Sequence, residues 1–222
     1  MSIKDLFNTL NLGEYQSHSK LDDGYENENY LVLTTSGRYV LKVFNGENKD
    51  ISYIEYELEL LSKLSGLPVT KVITSSDQTI HKYGDKLALV LEFMEGEHLL
   101  EHTEEHVAQI GSFLKKMHLI TKGLHIEGEE KRKIITPQKV FSSIKQDILH
   151  KDILLSMNLE KEEKGIIHFD LNEYNIFFNN NTLSGVIDFD DAFYGPLILD
   201  LGYVCFRWAA NDYVFDKTKL KT

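Results

Sequence analysis

Residues 165–192, GIIHFDLNEYNIFFNNNTLSGVIDFDDA, set two acidic signatures, HFDLNEYN and IDFDD, on either side of an asparagine-rich turn. His168, Asp170, Asn175, Asp188, Asp190 and Asp191 therefore crowd together between runs of β-forming residues. Like charges gathered so closely repel unless a cation sits among them. Ile176 to Phe178 and Val186 to Asp188 favour strands, and Asn179 to Leu183 hold the turn formers, which predicts a β-hairpin. Centred between Asn181 and Thr182, that hairpin sets Ile176 opposite Ile187 and Asn175 opposite Asp188. Directly opposed residues have Cβ atoms roughly 5 Å apart. An amide oxygen and a carboxylate would then share the hairpin end, a donor pair suited to Mg2+, which keeps waters and completes its shell with substrate phosphates. A register slip of one residue would break the pair. Asp170 would sit just off the metal, placed to orient a hydroxyl nucleophile and accept its proton. His168 is expected to pack and hydrogen-bond so as to hold the loop, and Phe169 to join the core.

Upstream, YLVLTTSGRYVLKVF reads as two strands about a Ser36-Gly37 turn, with Lys42 opposite Leu31 and on the same face as Val40 and Phe44. A lysine on an apolar face needs a partner. ISYIEYELELLSKLSG offers one: Ile54, Leu58 and Leu61 follow helical spacing, Glu57 lies among them, and Glu55 and Glu59 flank it towards solvent. Gly66 is expected to cap that helix, with Pro68 beyond. SIKDLFNTLNLG predicts a short amphipathic helix on Ile3, Leu6, Phe7 and Leu10, and PVTKVITS, TIHKYG and KLALVLEFM predict strands. Residues 1–95 thus read as an N-lobe, an antiparallel sheet bearing a helix, with MEGEH as the crossing.

Residues 96–222 read as a mostly helical C-lobe carrying the hairpin. Thr103 caps a helix with a Val107, Ile110, Phe113, Leu114 and Met117 stripe; Thr136-Pro137 opens a second helix; GEEKRK between them reads as a solvated loop. The fold class is α+β and bilobal, with a cleft at the crossing where a ligand would bind.

The chain has 222 residues, 42% of them hydrophobic, and a net charge of −11. That charge disfavours nucleic acid as a partner and mildly favours a cationic small molecule. Cys205 is the one cysteine and reads as a buried thiol. No run is apolar enough to span a bilayer and MSIKDLFNTL is no signal peptide, so a cytoplasmic location without membrane partners is expected.

HxDLxxxN followed by IDF resembles the catalytic and metal-binding loops of the protein-kinase-like fold. Asn172 in place of a lysine, DFDD in place of DFG, and the segments GYENENYLVLTTSGRYVLKVF and DDAFYGPLILDLGYV bring it nearer the small-molecule kinases. These form the aminoglycoside phosphotransferase and choline kinase superfamily, with type II homoserine kinases nearest in look. The resemblance runs from about Leu21 to Trp208 and is weakest over 125–160. It implies ATP and Mg2+ as cofactors, Asp170 as catalytic aspartate, Asn175 and Asp188 as metal ligands, Lys42 on the α- and β-phosphates and Glu57 as its helix partner. Gly24 and Asn27 fall in the phosphate loop, which departs from GxGxxG, and the main chain of Glu92 and Met94 falls at the adenine hinge, with Gly96 for the turn. Asp190 is left between a second metal and solvent, and Asp191 faces a cationic or hydroxyl-bearing substrate. Asp200 takes the structural place beneath the catalytic loop, and His118 that of a packed residue.

The function implied is ATP-dependent phosphorylation of a hydroxyl on a small molecule such as an amino alcohol, sugar or aminoglycoside. Two alternatives stay open: a non-catalytic ATP-binding module, and a protein kinase, for which the eleven residues FDDAFYGPLIL leave little docking room. Family members continue with helices that build much of the acceptor site, whereas this chain stops soon after Trp208. It is therefore expected to be a truncated form, to complete its pocket as a homodimer, or to take a very small acceptor.

Overall fold

The computed structural model of the protein describes residues 2–21, 27–45, 50–75, 78–132, 159–211 and 214–219. Gly24 and the helix expected from Pro137 lie outside these residues. Helix α1 (Ile3–Phe7) starts at Ser2, whose hydroxyl accepts from the Asp5 amide while the Asp5 carboxylate accepts from the Ser2 amide. Its Ile3, Leu6 and Phe7, with Leu10 beyond, pack on Val32, Leu41, Val43, Ala88 and Val90 of a sheet.

That antiparallel sheet has the order β1-β2-β3-β5-β4, built from β1 (Tyr15–Leu21), β2 (Glu28–Thr34), β3 (Gly37–Val43), β4 (Ile80–Tyr83) and β5 (Lys86–Glu92). The β2–β3 turn is Thr35-Ser36, not Ser36-Gly37, so Lys42 lies opposite Asn29 and not Leu31. The cause is local. Thr34 donates its hydroxyl to the Leu12 carbonyl, and Thr35 exchanges hydrogen bonds with Glu14, so the preceding loop grips the strand end. Strand alternation then sends Leu41 and Val43 to the α1 face and Lys42 and Phe44 to the other.

Helix α2 (Ile51–Lys63) covers that second face, capped by the Asp50 carboxylate on the Tyr53 amide. It ends at Leu64 with φ −89°, and Gly66 is not its cap. PVTKVITS forms no strand. Its backbone is shared between two partners instead: Thr70 donates to Val186 in the C-lobe, while Ile73 donates to Val90 of β5.

Thr103 caps α3 (Glu104–Thr121), whose Ile110, Phe113, Leu114 and Met117 are buried with Tyr56, Leu60 and Leu64 of α2. The same core holds Phe178, Val186, Phe189 and Trp208. Each large apolar side chain buried this way contributes about 2 kcal/mol before the entropy of ordering it. The remaining described elements are β6 (Lys164–Ile167) paired with β9 (Phe193–Pro196), β7 (Ile176–Asn179) with β8 (Thr182–Val186), α4 (Ile198–Trp208), and β10 (Ala210–Asn211) with β11 (Val214–Phe215). Two expectations need correcting. Cys205 is half-buried on α4, and GEEKRK is solvated only in part: Glu130 and Lys131 are exposed, but Glu129–Lys131 form a 3-10 turn that delivers Arg132 into the interior at 4% exposure. Among the described residues no helix is long and apolar enough to cross a membrane.

Candidate active site

Lys42 and Glu57 meet at the sheet–α2 contact, Nζ to Oε1 at 3.2 Å, with both side chains almost wholly buried. Asp188 Oδ1 and Asp190 Oδ1 lie 3.4 and 3.7 Å from the same Nζ. Burial works against the lysine charge, but Asp190, Glu57 and Asp188 outweigh it and hold its pKa above the ordinary lysine value. Burial also raises Glu57, which Lys42 partly offsets, and Glu57 Oε2 has no hydrogen-bond partner among the described residues.

Below this cluster, Asp170 lies on the loop after β6. Its Oδ1 accepts from the Tyr203 hydroxyl at 2.6 Å and the Asn172 amide at 2.9 Å, and its Oδ2 accepts from Asn175 Nδ2 at 2.9 Å. The loop is held from beneath by the fully buried Asp200 at the start of α4. Its carboxylate accepts from the amides of His168 (3.1 Å) and Phe169 (2.7 Å) and contacts His118 Nε2 at 3.0 Å. Those bonds support Phe169 in the left-handed region, φ 64°, a conformation that otherwise costs a bulky residue about 1–2 kcal/mol. Phe169 is accordingly half-buried, packed edge-on against Phe193. His168 is buried against Phe189; Nδ1 accepts from the Asp170 amide at 3.3 Å, so Nε2 donates to the Ile187 carbonyl at 2.9 Å.

The β7–β8 hairpin corrects the expected register. Asn180 and Asn181 form the turn at φ 48° and 61°, as a two-residue hairpin of this hand requires, and a bulge follows between Phe177 and Phe178. Ile176 therefore faces Val186, and Asn175 faces Ile187, whose amide donates to the Asn175 carbonyl at 3.0 Å. Asp188 lies one residue beyond that pairing, with its own backbone left-handed at φ 68°. Asn175 Nδ2 is committed to Asp170, which leaves Oδ1 as its acceptor. Desolvation in the cleft pushes the Asp188 carboxyl up to about 8; Lys42 opposes this and Asp190 adds to it. Because 44% of the Asp188 side chain is exposed, that desolvation is that of a narrow cleft rather than of a core. An all-oxygen donor set whose carboxylate resists ionising unless positive charge is added fits a hard divalent cation.

The remaining expected residues fall as follows. Asp190 does not face solvent: it is 4% exposed, and its Oδ2 accepts from Asn27 Nδ2 at 2.8 Å. Asn27 is thereby turned inwards. Asp191 is exposed, with the Tyr53 hydroxyl 3.4 Å from its Oδ1. At the crossing, the Glu92 amide donates to the Lys71 carbonyl, and the Met94 side chain covers Gly185, where an added Cβ would lie 2.1 Å from Sδ. Gly96, φ 140°, runs so close to β7 that a Cβ would meet the Phe178 carbonyl at 2.7 Å. Tyr203, Tyr53 and Arg132 were missed by sequence reasoning. Tyr203 had a signal, since it lies one helical turn beyond Asp200 and faces the same loop; Arg132 had none.

The sequence matches the phosphotransferase enzyme family APH over residues 17–216. The chain belongs to that family. A homoserine kinase of Bartonella tribocorum is 27% identical over 95% of this chain and 70% of its own. Among solved structures, a microcompartment-associated aminopropanol kinase superposes with a TM-score of 0.66 at 19% identity, covering 90% of this chain and 72% of that one. A spectinomycin phosphotransferase in complex with ADP and spectinomycin gives 0.66 at 14% identity, covering 90% and 71%. This phosphotransferase therefore has the α+β, protein-kinase-like fold, and it is a small-molecule kinase.

Proposed function

We propose that this kinase transfers the terminal phosphoryl group of Mg·ATP to the hydroxyl of a small amino alcohol, with homoserine the first acceptor to test. The observation that carries the reading is the convergence on one cleft of Lys42, fixed by Glu57 at 3.2 Å, and Asp188, 3.4 Å from the same nitrogen, above a hydrogen-bonded Asp170. Lys42 has its rotamer fixed and its charge preserved, so it can bind phosphate oxygens without reorganising. Asn175 Oδ1 and Asp188 would hold Mg2+, which when bound neutralises charge on the terminal phosphates. Asp170 aligns the acceptor hydroxyl and takes its proton, while Tyr203 and Asn172 keep the carboxylate from turning away. The backbone of Glu92 and Met94 would receive adenine at the crossing, and Asn27, turned inwards onto Asp190, would lie on the phosphate side.

Support for an amine-bearing acceptor comes from the net charge of −11, from exposed Asp191 beside the acidic cluster, and from similarity to a homoserine kinase and an aminopropanol kinase. The test is coupled ADP release with L-homoserine, 1-amino-2-propanol, choline, methylthioribose and an aminoglycoside. Acceptor-stimulated turnover with an amino alcohol supports the reading. Mg·ATP binding with no stimulation by any of the five would instead favour a nucleotide-binding module.

A further inference from the structure

The turn Ile126–Arg132 lies across the first half of α2 and touches it repeatedly. Ile126 is buried with Tyr56 and Leu60. Gly128, φ 89°, runs 3.4 Å (measured from an added Cβ) from the Ser52 carbonyl. Lys131 Nζ reaches Asp50 Oδ2 at 3.1 Å and the Ser52 hydroxyl. Arg132 ends the turn, with its guanidinium 3.8 Å from the Tyr53 ring centroid and 4.1 Å from that of Tyr56. It donates to the Tyr53 carbonyl on α2 and to the Asp190 carbonyl in the acidic loop, and the Tyr53 hydroxyl donates to that same Asp190 carbonyl. One buried cation therefore joins the helix that carries Glu57 to the loop that carries Asp188. Nothing in phosphate chemistry requires an arginine there. A planar fork that stacks on two rings and donates to two backbones is a fixture for relative position.

We infer that Arg132 is a positioning residue for nucleotide binding: it sets α2 against the Asp188–Asp191 loop, and so keeps Glu57 within reach of Lys42. Tyr53 is one turn before Glu57 on α2, so a displacement at Tyr53 is passed along the helix to the carboxylate that orients Lys42. The inference rests on the proposed use of Lys42 for phosphates, and its first test does not need the acceptor or the nucleotide.

Hydrogen exchange on the free full-length chain compares wild type with Arg132→Met and Arg132→Lys. We expect amides of Tyr53–Glu57 and Phe189–Ala192 to exchange on the order of tenfold faster in Arg132→Met, with α3 unchanged and lysine intermediate. Unchanged exchange at α2, or equal acceleration throughout the protein, overturns the inference. The second test is a cycle with Glu57→Gln read by the Mg·ATP-induced rise in Tm. Arg132→Met should weaken Mg·ATP about tenfold alone and less than about twofold in the Glu57→Gln background; equal weakening in both backgrounds overturns it. Should wild type fail to bind Mg·ATP, the proposed function falls while the exchange result still decides the role of Arg132.

Discussion

The two hairpins that bring charge to the cleft are built on opposite plans. β2–β3 pairs seven residues on each side without interruption, and Lys42 reaches Glu57 simply because strand alternation points it there. β7–β8 is short and bulged; beyond its paired part Asp188 takes a left-handed backbone, and the adjoining loop of Asp170 is held by Asp200 through the amides of His168 and Phe169. The first plan places one charge by regular geometry and burial. The second places several by individual hydrogen bonds, each of which can be removed separately. Substitutions on the first hairpin should therefore act on stability and nucleotide together, whereas those on the second should separate chemistry from binding.

The largest expected effect is on the second plan: Asp170→Ala should lower kcat about 10³-fold while the Mg·ATP-induced Tm shift stays near wild type. A variant with near-normal turnover would remove Asp170 from proton acceptance. Lys42→Met should abolish the nucleotide shift and cost roughly 3–5 kcal/mol in urea unfolding, since Glu57 is then a buried unpaired charge. Adding Glu57→Gln should restore much of that stability but no binding. If the double variant is as unstable as the single, the pair is not the unit described here. Asp200→Asn should cost about 1–3 kcal/mol, because the His168 and Phe169 amides go to different oxygens and one of these becomes a donor NH2. Its turnover should fall more than its Mg·ATP affinity, which is the signature of a loop loosened under Asp170.

The smallest effect lies in the N-lobe, far from chemistry. Burial lowers the His81 pKa, and its Nε2 is buried without a partner among the described residues. The folded protein keeps this ring neutral while the unfolded chain takes up a proton below about pH 6.5. The stability it allows is complete above that pH and is lost as pH falls. His81→Leu should flatten the fall of Tm below about pH 6.5, and a curve of unchanged slope would place the pH dependence elsewhere.

Much of the regular plan was legible in the sequence. The lysine on an apolar strand and the glutamate on an apolar helix face announce each other, because periodicity fixes which side each residue takes. Registers were not legible. The grip of Leu12 and Glu14 on Thr34 and Thr35 moved one turn, and the double-asparagine turn with its bulge moved the other, so Asn175 faces Ile187 rather than Asp188. Arg132 was hidden for another reason. Its partners Tyr53 and Asp190 are 79 and 58 residues away along the chain, and a charged run such as GEEKRK has the composition of solvated surface. Only the fold reveals that one member turns inwards.

Backbone bonds flank the β7–β8 ribbon on both edges: Pro68 and Thr70 exchange hydrogen bonds with Val186, and Glu97 exchanges two with Phe178. Both flanking segments belong to the N-lobe or its crossing. The ribbon is also tied to the loop of Asp170: Asn175 donates to Asp170, and the Ile187 carbonyl accepts from His168. A shift of the N-lobe should therefore be passed through one short hairpin to Asp170, so that the Lys42, Asp188 and Asp170 side chains travel as one set.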